Sequence, residues 1–264
     1  MLAIKQSNSK SLYNQMLYDQ SGLAPKLIIS LGVYKFAYVL ALALTFCTLA
    51  AGMPGVMAGD SVDLVFPKGS SPYGLGYDEW SAKWWVWLLS IPGDMNPSND
   101  IDGSNCAIDQ SGPVWYLAGS QGELQVRHCS LPAGKAILFP VLTSECSYAE
   151  NRDLRTPDEL LECAKNEHEG YISRSMALKV DGTPIVVDDF RVQSTLFNFT
   201  FPPANVFGAP PGPTQGVSDG WFVMLKPLSP GQHTIEFSGE VRKAAIEAGG
   251  FSTAVIYNLD VRPS

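Results

Sequence analysis

Three stretches of this chain hold residue types that do chemistry. In "SNDIDGSNCAID", residues 98–109, Asp100, Asp102 and Gly103 take the third, fifth and sixth places of a calcium-loop template, and Asp109 takes the twelfth. Ser98 stands first, where Asp belongs, the closing residue is Asp instead of Glu, and no second helix follows. The stretch does not fit a full EF-hand. It leaves looser oxygen coordination of calcium by Asp100, Asp102 and Asp109, set against the preferred reading, a solvated turn whose Asx side chains bond their own backbone.

The second stretch is "TSECSYAENRD", where Glu145 and Glu150 flank Cys146 and Asp153 follows. Paired carboxylates are what glycoside hydrolysis requires. A chain this rich in acids offers such pairs by chance, so the signal is weak. The third group is the histidines. On an alternating strand His128 points away from Arg127 and Cys129, His168 falls at a helix end where a cation suits the dipole, and His233 starts a strand. No spacing links them. A nucleophile elbow, a zincin motif, a phosphate loop and a dinucleotide fingerprint are all missing from the sequence. Asn198-Phe199-Thr200 fits a glycosylation sequon within an expected strand.

Cysteine usage points to an oxidising compartment. Cys47 lies in an apolar N-terminal run, leaving Cys106, Cys129, Cys146 and Cys163. An even count in an exported chain reads as two disulfides. Sequential pairing, Cys106 with Cys129 and Cys146 with Cys163, closes the shortest loops and is preferred. The spacings lack a zinc knuckle, and three histidines are few for a zinc site.

The N-terminus supplies the reason for export. Phe36 to Ala50 is an uncharged run preceded by Lys26 and Lys35, and Val56 and Ala58 sit where small residues precede a cleavage site. Residues 1–58 therefore read as a secretory signal cut after Ala58, with an uncleaved anchor over Leu27–Ala51 as the competitor. Translation from Met16 is a further alternative. Residues 59–264 carry 14 basic and 25 acidic residues, a net charge of −11. Such a surface repels nucleic acid and anionic lipid, so the membrane is a partner only through residues 27–51 if they are retained.

The elements that must position these groups follow from periodicity. "YDEWSAKWWVWLLSIP" holds four of the six tryptophans. At 100° per residue, Tyr77, Trp80, Trp84, Trp87, Leu88 and Ile91 share a face that Trp85, Leu89 and Ala82 widen, leaving Glu79, Lys83 and Ser90 as a thin polar stripe. This predicts a mostly buried helix capped by Asp78 and stopped by Pro92. Core packing is preferred over a sugar-stacking platform, with Trp85, Trp115 and Trp221 as the candidates for lining a ligand. Thr156-Pro157-Asp158-Glu159 is a capping box and opens a second helix, to about His168.

The remainder reads as strands: 114–119, 123–129, 135–143, a hairpin about Asp181-Gly182, 190–201, "WFVMLKPL", "HTIEFSG" and "AVIYNLDV", with a long loop over 202–216. Short strands at regular spacing predict a mainly β, antiparallel β-sandwich, jelly-roll or immunoglobulin-like, with two short helices in a single domain over 59–264.

The runs "YDEWSAKWWVWLLSIP", "SGPVWYLAG…RHCSLPAGKAILFPVL" and "LSPGQHTIEFSG…AVIYNLDV" resemble those of a group of secreted bacterial and archaeal proteins of uncharacterised function. The resemblance spans nearly all of residues 59–264. It implies export and one folded unit, and it implies no activity and no site residues.

Three functions are compatible with these observations. The first is a non-enzymatic exported protein that binds a glycan, a cell-surface polymer or a protein ligand, with no cofactor beyond calcium. The second is an extracellular hydrolase using carboxylates of the 94–112 and 145–153 segments. The third is a structural envelope component held by an uncleaved anchor.

Overall fold

The computed structural model describes residues 64–169, 171–243 and 250–263. The signal peptide or anchor expected over residues 1–58 lies outside these. Among the described residues no helix is long and apolar enough to cross a membrane.

The fold is mainly β, with two five-stranded sheets not closed into a barrel. The strands are β1 (Val114–Tyr116), β2 (Leu124–Pro132), β3 (Ala136–Ser147), β4 (Tyr171–Val180), β5 (Thr183–Pro184), β6 (Arg191–Gln193), β7 (Phe197–Phe201), β8 (Gly212–Leu225), β9 (Gly231–Lys243) and β10 (Phe251–Arg262). Two helices accompany them, α1 (Tyr77–Ser90) and α2 (Pro157–Asn166). The first sheet runs β1-β3-β8-β6, with β7 also paired to β8; the second runs β2-β10-β9-β4-β5.

Burial explains which sheet is which. Along β3 and β8 the residues are buried without alternation, in "AILFPVL" and "WFVML". A strand with no polar face must be covered on both sides. Ile137, Phe139, Val141, Val223 and Leu225 face the second sheet, where Phe139 stacks on Phe237 at 5.0 Å between centroids. Leu138, Phe222 and Met224, with Phe197, Phe199 and Phe201, face the tryptophan helix instead. By contrast β10 alternates buried and half-buried residues, because its outer face meets solvent.

This answers why α1 is so aromatic. It covers a whole sheet face, and Trp80, Trp84, Trp85 and Trp87 are each no more than 7% exposed. A buried tryptophan removes on the order of 200 Å² from water, about 5 kcal/mol gross at 25 cal/mol per Å². Each indole N–H finds an acceptor: Pro72 O, Leu117 O, Thr143 Oγ1 and Ile108 O, at 2.9, 2.9, 3.3 and 2.9 Å. Glu79, Lys83 and Ser90 form the exposed stripe. The N-cap is Gly76 instead of Asp78; Glu79 Oε2 accepts the Gly76 N–H at 3.0 Å.

Other local expectations are met. Thr156 caps α2, with the reciprocal bonds of a capping box to Glu159. Asp181 and Gly182 both take positive φ, 50° and 76°, as a two-residue hairpin requires. Both disulfides join sequential cysteines, Cys106–Cys129 and Cys146–Cys163.

Three features differ from the sequence reading. The sheets are mixed, since β1 runs parallel to β3 and β2 parallel to β10. The stretch 190–201 is two strands, β6 and β7, broken over 194–196, and both pair with β8. The long loop ends at 211, because Gly212–Gly216 already pairs with β7.

Candidate functional site

A cleft of about 390 Å³ lies beside the C-terminal half of β3. It falls within the size range of small-molecule sites. One wall is α1, through Trp84, Trp85 and Leu88; Phe207 stands opposite, 6.3 Å from Trp85 between ring centroids. Its floor is Pro140 to Glu145. There the β3–β8 register shifts between Pro140 and Leu142, a bulge that changes which face the following residues present. Ser98, Ser120, Gln121, Glu150, Glu167, His168 and Thr253 complete the polar lining.

Glu145 is the anomalous group. Neither carboxyl oxygen is open to water, and neither has a hydrogen-bond partner among the described residues. Oε1 rests over Gly216, where a Cβ would lie 2.5 Å away. Burial, and after it the Glu150 charge, pushes the Glu145 pKa well above the ordinary carboxylate value. Burial thus favours the neutral, protonated form of this carboxyl. Glu150 itself reaches solvent, and its Oε2 accepts from Ser147 Oγ at 2.6 Å.

His168 sits beside these acids, but not as a cation at a helix end. It is buried, and burial lowers its pKa despite the Asp219 carbonyl nearby. Nε2 lies 3.0 Å from that carbonyl, which can only accept, so the proton is on Nε2. Ser144 Oγ donates to Ala164 O at 2.7 Å and lies 2.9 Å from Nε2. The imidazole therefore cannot take the Ser144 proton through Nε2, and the pair is not an activated nucleophile.

Asp219 organises this corner from below. Its carboxylate is fully buried and takes a fork from Arg191, Nη2 to Oδ2 at 2.7 Å and Nε to Oδ1 at 3.2 Å. Its carbonyl receives His168 and, at 3.2 Å, Thr143 Oγ1, which in turn accepts from Trp85. A buried ion pair thus fixes the groups that line the floor.

The other sequence candidates lie elsewhere. Trp85 lines the cleft. Trp115 belongs to the core between the sheets. Trp221 is 1% exposed, with Arg174 and Arg191 over its ring at 4.2 and 5.0 Å. Asp100 is buried and accepts the N–H groups of Gly103 and Asn105 at 3.0 and 2.9 Å, while Asp102 accepts that of Ser104 at 3.0 Å. Asp109 is exposed, with φ of 51°. Among the described residues no three acids, histidines or cysteines are grouped to hold a metal ion.

The 98–109 loop instead seals an edge. Asp102 O accepts the His128 N–H of β2 at 2.7 Å, and Cys106 is bonded to Cys129 of the same strand. Behind the cleft wall, Arg127 is fully buried, donating to the carbonyls of Ala118, Gly119 and Ser98 and to Tyr257 Oη. His128 is exposed, and His233 pairs with Asp181 at 2.7 Å, far in sequence from the cleft groups.

The fold and the cleft together define a disulfide-pinned β-sandwich with a cleft lined by aromatic and acidic side chains. No protein-family model matches the chain, and no curated protein or solved structure is significantly similar to it.

Proposed function

We propose that this protein is exported and works by binding a ligand in the cleft between α1, β3 and the Phe207 loop. Export is supported by two formed disulfides, which belong to oxidising compartments, and by the signal-like character of residues 1–58. Binding is carried by one observation: a buried carboxyl, Glu145, whose oxygens meet no well-formed hydrogen bond among the described residues, lining a cavity with the aromatic rings of Trp84, Trp85 and Phe207 in its walls. A buried acceptor without a partner is costly, and a site that completes it on binding turns that cost into specificity. The test is a thermal-shift screen of the full chain with neutral sugars, amines, carboxylic acids and calcium, repeated with Phe207→Ala. Phe207 is 42% exposed, so its removal spares the core. A saturable rise that shrinks in the variant supports the cleft. A rise that the variant leaves untouched moves the site elsewhere, and no rise with any class removes the reading.

The pairing of Glu145 with Glu150 favours a second reading, an extracellular hydrolase. Glu145 would donate its proton to a leaving oxygen while the Glu150 carboxylate activates water. Asp102 takes no part in this version, being exposed and bonded to Ser104. Turnover of a glycoside or ester that Glu145→Gln abolishes, at a melting temperature no lower than the native protein's, supports it. Activity that survives both Glu145→Gln and Glu150→Gln removes it.

A further inference from the structure

The charge of the cleft names a ligand class more closely. Three carboxyl groups line it, Glu145 at the floor and Glu150 and Glu167 reaching solvent, and none of its lining residues is a lysine or arginine. His168 uses its Nε2 proton on the Asp219 carbonyl, and burial disfavours its charged form. Arg127, behind the wall, is fully buried and spends both terminal nitrogens on carbonyls and Tyr257 Oη. The charged side chains lining the cleft are thus acids, with no lining lysine or arginine to offset them. A metal ion is not the natural complement, because no set of three ligating side chains converges among the described residues. The walls are Trp84, Trp85, Leu88 and Phe207, which suit an apolar body and attract a cation through their ring faces.

We propose that the cleft binds a primary ammonium group carried on an apolar body, with Glu150 and Glu167 as its charged partners and Glu145 as the acceptor it completes. The inference rests on the cleft-binding reading above. In the structure the Glu145 oxygens are shut off from water against Gly216. The side chain turns from that seat into the cleft to meet the ligand's N–H groups as a carboxylate, its proton passing to solvent through the cleft as the cation arrives. A primary ammonium brings three such donors, a quaternary one brings none, so the class is specific to N–H and not to charge alone.

The test is calorimetric titration of the full chain with four probes of one shape: 2-phenylethylamine, 2-phenylethanol, 3-phenylpropionate and trimethyl-(2-phenylethyl)ammonium. A charge-assisted hydrogen bond predicts that the amine binds at least about tenfold more tightly than the alcohol. The quaternary probe falls below the amine, and the carboxylate does not bind. Glu145→Gln should erase the preference of amine over alcohol, and Glu150→Gln, at a solvent-reaching position where folding is not at stake, should reduce it. Equal binding of amine and alcohol overturns the proposal, as does an amine preference that survives both variants. If the alcohol or carboxylate binds in a Phe207-dependent way while the amine does not, the ammonium falls and the cleft stands. If no probe binds, the ammonium falls and the broader ligand screen decides the cleft.

Discussion

Gly216 makes the seat for Glu145: a Cβ there would lie 2.5 Å from Oε1 and 3.2 Å from Cys146 O and Phe197 Cζ. Its φ is not in the left-handed region, so the demand is for space and not for backbone freedom. Gly216→Ala should therefore lower stability by about 1–3 kcal/mol, the usual cost of overpacking. Urea unfolding measures it. In a Glu145→Ala background part of the loss should be recovered; purely additive losses would mean that the two residues do not share the space.

Glu145 also sets a pH dependence. Its folded pKa is raised above the ordinary 4.5, so between that value and the folded pKa the native state holds a proton that the unfolded chain has released. Stability then falls as pH rises through this window. Glu145→Gln removes the slope. The melting temperature of the variant should gain on that of the native protein steadily from about pH 4.5 upward. A constant difference across pH would mean that Glu145 titrates normally.

His168 imposes the opposite slope. Burial lowers its pKa below 6.5, so the unfolded chain binds the extra proton first as pH falls. The stability from a neutral His168 is present above about 6.5 and is lost below it, toward the folded pKa. Imidazole nitrogen shifts should report a neutral ring protonated at Nε2 at pH 6.5. A proton on Nδ1 would contradict the bond to the Asp219 carbonyl.

The two disulfides span 23 and 17 residues. Loop-closure entropy predicts that removing either costs roughly 3 kcal/mol. Cys106→Ser/Cys129→Ser should in addition loosen the 98–109 loop from β2, seen as faster hydrogen exchange at the His128 amide. Cys146→Ser/Cys163→Ser should leave that amide protected and instead free α2. Identical exchange patterns in both variants would deny this division.

Much of the fold was legible because its determinants are local. The tryptophan spacing gave α1, the Thr156 box gave α2, and Asp181-Gly182 gave a hairpin; each needs only neighbours within a turn. The non-alternating runs of β3 and β8 also carried a signal, since strands without a polar face need two covers. Parallel pairing was not legible: β2 and β10 meet across a separation of 130 residues, from Leu124 to Ala254. The cleft was half legible. Glu145 and Glu150 stood out as a pair in sequence, but the bulge at Pro140–Leu142, the return of α2 that buries His168, and the approach of Phe207 are long-range events. Trp115 and Trp221 read as ligand-lining candidates because a single strand does not reveal what faces it, and both lie in packed interiors.

The position of β10 reaches beyond the folded state. Residues 251–262 occupy the interior of the second sheet, between β2 and β9, so β2 has no neighbour in that sheet until those residues arrive. The β9, β4 and β5 part of the layer pairs without them, and β2 is joined to that part only through β10.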